Sequence, residues 1–300
     1  MLPEYKAAAG VSGSLKCVGS DSMVKLVTFW NEGFRKFYPH VQTELEGKGS
    51  STAAPALIAG TATFGPMSRP MKADEVDKFQ AEFGYKPIEL ATSIDMLAVF
   101  VNKDNPLEGL TLPQVDATFS ATRRLGHEKD IATWGDCGLT DAAFVGKAIS
   151  LYGRNSASGT YGYFKEHVLG NGDFKNTVKE MPGSSAVVQG VASDKFGIGY
   201  SGVAYLTSDV RAVPLAANEG EAFVPVTPEH AYTGDYPLSR FLNLAVNYKP
   251  GSTLDPLRAE YIKYIYSRQG QEDVVKEGYY PVTAEIARVQ LKSVGIEPGF

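Results

Sequence analysis

Cysteine, histidine and tryptophan are scarce in this chain, with two, four and two among 300 residues. Cys17 and Cys137 stand far apart, in segments assigned below to different lobes, so two free thiols are expected. A pair so small assigns no redox compartment. His40, His127, His167 and His230 are scattered and make neither an H-x-x-x-H nor an H-E-x-x-H spacing, which argues against a zinc or other metal centre. Basic residues are spread out, with Arg35-Lys36 and Arg123-Arg124 the two adjacent pairs, and the net charge is −5, so the basic stripe of a nucleic-acid surface is missing. No apolar run approaches the length of a membrane span. Residues 1–15 have no hydrophobic region of a signal peptide, and read either as a cytosolic start or as a mature chain whose signal was replaced by a methionine. A G-x-x-x-x-G-K-[ST] loop is missing too: Gly47-Lys48 leads into Gly49-Ser50-Ser51 without the upstream glycine, which argues against a nucleoside triphosphate.

What is present is the composition of an ordinary globular protein, 43% apolar and 21% charged, with 31 glycines. Strand and helix patterns alternate. A strand at 14–19 precedes a helix whose apolar stripe is Met23, Leu26, Val27, Trp30, Phe34 and Phe37. Strands are expected at 41–46 and 61–65, a short helix around Pro55, and a helix through Val76, Phe79 and Phe83 that stops at Gly84. Two long apolar strands, 94–102 and 238–247, bracket a second α/β set with strands at 148–153 and 197–201 and helices at 159–169 and 186–192. The tail carries one helix from Pro256 and another capped by Thr283. Such alternation implies mostly parallel sheets covered by helices, with an inserted lobe and two crossings of the chain. The expected boundaries are residues 1–97 plus 240–300 for one lobe and 98–239 for the other.

Three segments share one design, a strand end followed by small residues and a helix N-terminus: Gly19-Ser20-Asp21-Ser22, Gly49-Ser50-Ser51-Thr52 and Arg154-Asn155-Ser156-Ala157-Ser158-Gly159-Thr160. Each offers backbone N–H groups, the positive end of a helix dipole and hydroxyl donors, the elements of an anion cradle. The competing reading of each hydroxyl is that it caps its own helix. Arg154 adds a full charge and a five-donor fork at the end of an apolar strand, where a surface ion pair is the competing reading.

Those turns, in that order, resemble the phosphate-binding proteins of ABC-type phosphate uptake, which have the type II periplasmic-binding-protein fold. G-S-D-S at 19–22, G-K-G-S-S-T at 47–52, G-T-A-T-F-G-P-M-S-R-P-M at 60–71, R-N-S-A-S-G-T at 154–160, G-I-G-Y-S at 197–201 and Y-P-L-S-R at 236–240 carry the resemblance. It implies an α/β, two-lobed fold, each lobe a central sheet flanked by helices, with two crossing hinge strands. It also implies a periplasmic or cell-surface monomer that captures inorganic phosphate between its lobes and delivers it to ABC permease subunits, with no cofactor and no metal. The ligand residues implied are Ser20, Asp21, Ser22, Ser50, Ser51, Thr52, Ser68, Arg69, Arg154, Ser158, Gly159 and Thr160. The third segment departs from the pattern: where some relatives place an aspartate that accepts the phosphate proton, it reads Met67-Ser68-Arg69, and Asp21 is the remaining candidate. Arg69 is expected either to reach the anion or to hold the site's carboxylate.

Two rivals stay open at this level, beside an extracellular scaffold that kept the fold and lost transport. One is a receptor for sulfate, molybdate or a phosphonate. The other is a phosphatase-type enzyme on the same cradle, which needs a nucleophile beside a base or a metal cluster. Cys137 has no adjacent cation to activate it, the histidines are scattered, and the pair Asp74-Glu75 reads as part of a solvated helix face.

Overall fold

Strand and helix alternate from Ser14 onward in a computed structural model that describes residues 2–300. β1 (Ser14–Val18) reaches α1 (Val24–Phe37) through a 3-10 turn at Asp21–Met23, and α1 buries Leu26, Val27, Trp30 and Phe34, the stripe predicted by spacing. β2 (Gln42–Glu46), α2 (Ala53–Ile58), β3 (Phe64–Met67) and α3 (Ala73–Phe83) follow, and Gly84 ends α3 at φ 77°. β1 lies parallel to both β2 and β3. β3 starts later than the expected 61–65 because the N–H groups of Thr61 and Ala62 donate back to Ala56 O and close α2. Thr63 N–H is the donor that reaches Lys16 O across to β1, at 2.7 Å.

β4 (Ile88–Asn102) is longer than expected, because its polar first part also pairs or packs. Thr92 donates its hydroxyl to Leu242 O at 2.9 Å and accepts from Gln271 Nε2 on its own carbonyl at 3.1 Å. Beyond it come β5 (Leu110–Thr111), α4 (Leu112–Phe119), β6 (Ser150–Arg154), α5 (Gly159–His167), β7 (Lys179–Met181), α6 (Ser184–Ser193) and β8 (Gly197–Gly202). β9 (Val210–Ala212), β10 (Leu215–Ala216), α7 (Pro228–Thr233) and β11 (Ser239–Val246) complete the middle of the chain. The tail holds α8 (Pro256–Ile265), α9 (Arg268–Glu277), β12 (Tyr280–Pro281) and α10 (Ala284–Ser293).

The chain divides into two compact units. The first comprises the residues up to Ile94, Ala157–Gly159 and Phe241–Phe300; the second comprises Asp95–Ser156 and Thr160–Arg240. In the first unit β11 runs antiparallel to β3, and β12 antiparallel to the first part of β4. In the second, β6 is parallel to β7 and β8, while β8 and β9 run antiparallel to the last part of β4. The sheets are thus parallel at heart, and the long strands that pass from one unit into the other are their antiparallel members. The second unit packs Phe100, Tyr152, Val187, Val188 and Val191 together; the first packs Leu57, Met67, Phe79 and Ala245. Cys17 and Cys137 are free and buried, and burial pushes both thiols up to about 12, so neither is an activated nucleophile.

Candidate anion-binding site

Within the first unit, close backbone packing gathers the small residues of three segments. A Cβ on Gly19 would lie 2.1 Å from Pro66 O, so only glycine permits the first turn to sit against the third segment. Ser20 N–H donates to Pro66 O at 2.7 Å, and the Ser20 hydroxyl donates to Ser68 Oγ at 2.9 Å. Gly49 N–H donates to Gly19 O at 2.8 Å and ties the second turn to the first. Gly49 itself has φ 115°, and a Cβ there would meet Ala157 O at 2.3 Å. Ser50 Oγ accepts from Ser68 N–H at 3.0 Å and lies 3.3 Å from Ser68 Oγ. Gly159 closes the group: a Cβ on it would stand 2.1 Å from Ser50 Oγ and 2.5 Å from Ser68 Oγ. Ser20, Ser50 and Ser68 are all buried, as are Ser22 and Ser158.

The capping reading of these hydroxyls fails where the bonds are visible. Ser20 precedes the first turn but makes no side-chain cap bond, and neither does Thr52 before α2. Ser51 and Thr52 do serve the backbone: Ser51 donates its hydroxyl to Ala157 O at 3.1 Å and Thr52 donates to Gly49 O at 2.8 Å. Those two residues shape the loop with their N–H groups as well, which donate to Ala157 O at 3.2 Å and to Gly49 O at 3.0 Å. Asp21 opens the 3-10 turn, half-buried, with Gly47 packed beside its Cα.

Arg69 is buried and bidentate on Glu75, at 2.7 Å from Nη1 to Oε2 and 2.7 Å from Nη2 to Oε1, with Nη1 also donating to Pro70 O. The carboxylate it holds is Glu75 of α3 and not Asp21, the carboxylate expected at the site. That corrects the reading of Asp74-Glu75 as a solvated pair: Asp74 faces Lys78 at the surface, whereas Glu75 is enclosed and also accepts from Lys72 N–H at 2.8 Å. The first turn of α3 needs an acceptor for its unpaired N–H groups, and Glu75 supplies it.

In the second unit Arg154 ends β6 almost fully buried, at 2% exposure. Its N–H donates to Tyr200 Oη at 3.2 Å and its Nη1 donates to Ser184 Oγ at 2.8 Å, at the first residue of α6. Burial raises the Tyr200 phenol, which stays neutral. Thr160, fully buried, accepts from Arg240 Nη2 at 3.0 Å. Arg240 is held by Asp95, with Nε and Nη2 at 2.9 and 2.8 Å from Oδ2, and Asp95 Oδ1 accepts from Val203 N–H at 3.1 Å. Sequence reasoning missed Ser184, Asp95 and Arg240. Asp95 carried a signal, being the one carboxylate inside the apolar run of β4, and Arg240 ends the Y-P-L-S-R segment. No group of three or more potential metal ligands occurs among the described residues.

Comparison with known proteins follows the same lines. A PBP superfamily domain matches residues 5–269. The phosphate-binding protein PstS of Pseudomonas aeruginosa PAO1 is 51% identical over 295 residues, covering 98% of this chain and 91% of that protein. A phosphate ABC transporter substrate-binding protein of Clostridium perfringens, solved with bound phosphate, superposes with a TM-score of 0.74 at 25% identity, over 90% of this chain and all of that one. A phosphate-binding protein of Planctomyces limnophilus gives 0.67 at 25% identity, over 95% of this chain and 98% of that one. The chain belongs to the PBP superfamily and, within it, to the PstS family of phosphate-binding proteins.

Proposed function

We propose that this protein is a solute receptor that captures inorganic phosphate and hands it to the permease of an ABC transporter, outside the cytoplasm and as a monomer. The observation that carries this reading is the concentration of buried donors at the glycine-lined turns: Ser20, Ser50, Ser68 and Gly159 in the first unit, Arg154 and Thr160 in the second. Short hydroxyl and backbone donors suit the oxygens of a small tetrahedral anion, and one guanidinium supplies the compensating charge. Neither thiol is a nucleophile for hydrolysis of a phosphate ester, since burial raises both.

Selectivity is assigned to Asp21. Phosphate near neutral pH keeps a proton that an ionised carboxylate accepts, whereas fully ionised sulfate would face that carboxylate as a second anion. Competition of phosphate, sulfate, molybdate and a phosphonate, for the parent and for Asp21→Asn, tests both statements. Phosphate should displace the others from the parent, and the preference for phosphate over sulfate should shrink in the variant. Equal competition by sulfate in the parent would favour the broader oxyanion receptor.

A further inference from the structure

We propose that Arg240 is a positioning residue for the anion: clamped by Asp95, it fixes the Thr160 hydroxyl so that this hydroxyl acts as a donor to phosphate. The inference rests on the phosphate reading above and adds to it two residues, Asp95 and Arg240, in a role of their own.

Asp95 is the single carboxylate in the apolar part of β4 and has no exposure to solvent. A charge so placed requires compensation, and it receives three hydrogen bonds: two from Arg240 on Oδ2 and one from Val203 N–H on Oδ1. Arg240 is buried in turn. Its guanidinium lies 5.2 Å from the centre of the Tyr163 ring, and the Tyr163 hydroxyl donates to Ser239 O at 3.0 Å, next to the arginine itself. Side chain and backbone of this arginine are therefore both held.

A buried ion pair contributes little net stability compared with well-packed apolar side chains. What two leucines could not do is extend an N–H to Thr160. The Arg240 Nη2 contact makes Thr160 Oγ1 an acceptor, so the hydroxyl hydrogen must point in some other direction. A hydroxyl that accepts from a cation is also polarised into a stronger donor. Thr160 follows Ser158 and Gly159 in the turn that carries the site, so orienting its hydrogen bears directly on the anion. The three residues also have a shared place in the chain. Asp95 is the first residue of the second unit on β4, Arg240 is its last on β11, and Thr160 is where the chain returns after Ala157–Gly159.

A double-mutant cycle read by calorimetric titration with inorganic phosphate tests this assignment. Arg240→Gln leaves Asp95 buried without its partner and can unfold the protein. The cycle therefore uses the charge-free pair Asp95→Leu with Arg240→Met, and thermal unfolding reports its stability separately. In the parent background that pair should weaken phosphate binding about tenfold or more, as expected for loss of a charge-supported bond. In a Thr160→Val background it should cause no further loss beyond about twofold. Thr160→Ser, which keeps the hydroxyl, should retain the parent's sensitivity. Equal losses in the parent and Thr160→Val backgrounds, or native affinity after removal of the ion pair, would overturn the assignment. A parent that fails to bind phosphate at all would instead overturn the function on which it rests.

Discussion

Arg154 and the serines around the turns differ in what each can lose. A charge-assisted bond is worth roughly 1.5–3 kcal/mol against about 0.5–1.5 for a neutral one. Arg154→Ala should therefore weaken phosphate binding roughly tenfold to a hundredfold, and Ser20→Ala or Ser68→Ala by clearly less. Native affinity in Arg154→Ala would remove the arginine from the site. Arg69 is predicted to behave differently despite its similar burial, because Glu75 occupies its fork. Arg69→Ala should lower stability by about 3–5 kcal/mol, since it leaves a buried carboxylate alone. Its unfolding midpoint, and not ligand affinity at low temperature, is the measurement that shows this.

Glu277 adds a pH dependence at the same scale. It ends α9, where the helix dipole disfavours an anion, and burial raises its carboxyl from 4.5 to about 7. Its Oε1 is buried with no hydrogen-bond partner among the described residues. The folded state thus holds the proton more tightly than the unfolded chain. Its contribution to stability is full below about pH 4.5 and is lost as the pH rises through about 7. Glu277→Gln should gain stability relative to the parent across that window, by about 1–3 kcal/mol. A difference between the two that does not change between pH 4.5 and 8 would contradict this.

Elements were legible where the apolar period was strong. The stripe on α1, the Gly84 stop of α3 and the apolar part of β4 follow from spacing and turn chemistry alone. α9 was not legible, because its sequence is mostly polar and buries Gln271, Val274 and Glu277 with little periodic signal. What starts it is Ser267, whose hydroxyl oxygen accepts from Gly270 N–H at 3.2 Å while the hydroxyl donates to Tyr264 O at 2.6 Å. Gln271 then holds it in place through Thr92 O, Ile265 O and Val282 N–H. α4 was not read from the sequence either, although its Thr111–Gln114 capping box is a signal that could have placed it. Ser267→Ala should cost about 1 kcal/mol, seen as a lower denaturation midpoint with an unchanged slope. The same limit explains the site. The glycine and hydroxyl turns could be read from sequence, but the pairings of Arg240 with Asp95 and with Thr160 could not, since those partners lie 145 and 80 positions away.

At the scale of the whole molecule, the order of six short segments along nearly the full chain carried more than any one of them. Each turn alone could have been a helix start. Together they occur at the ends of strands in two units, and Gly19, Gly49 and Gly159 are needed by close packing within the first. No helix among the described residues is long and apolar enough to cross a membrane. The central claim is that this protein binds one phosphate ion. Calorimetric titration of the intact protein with inorganic phosphate at neutral pH measures that directly. The account predicts saturation at one equivalent, with affinity roughly tenfold to a hundredfold weaker in Arg154→Ala. No saturable heat in the parent, or saturation at a different stoichiometry, would contradict it.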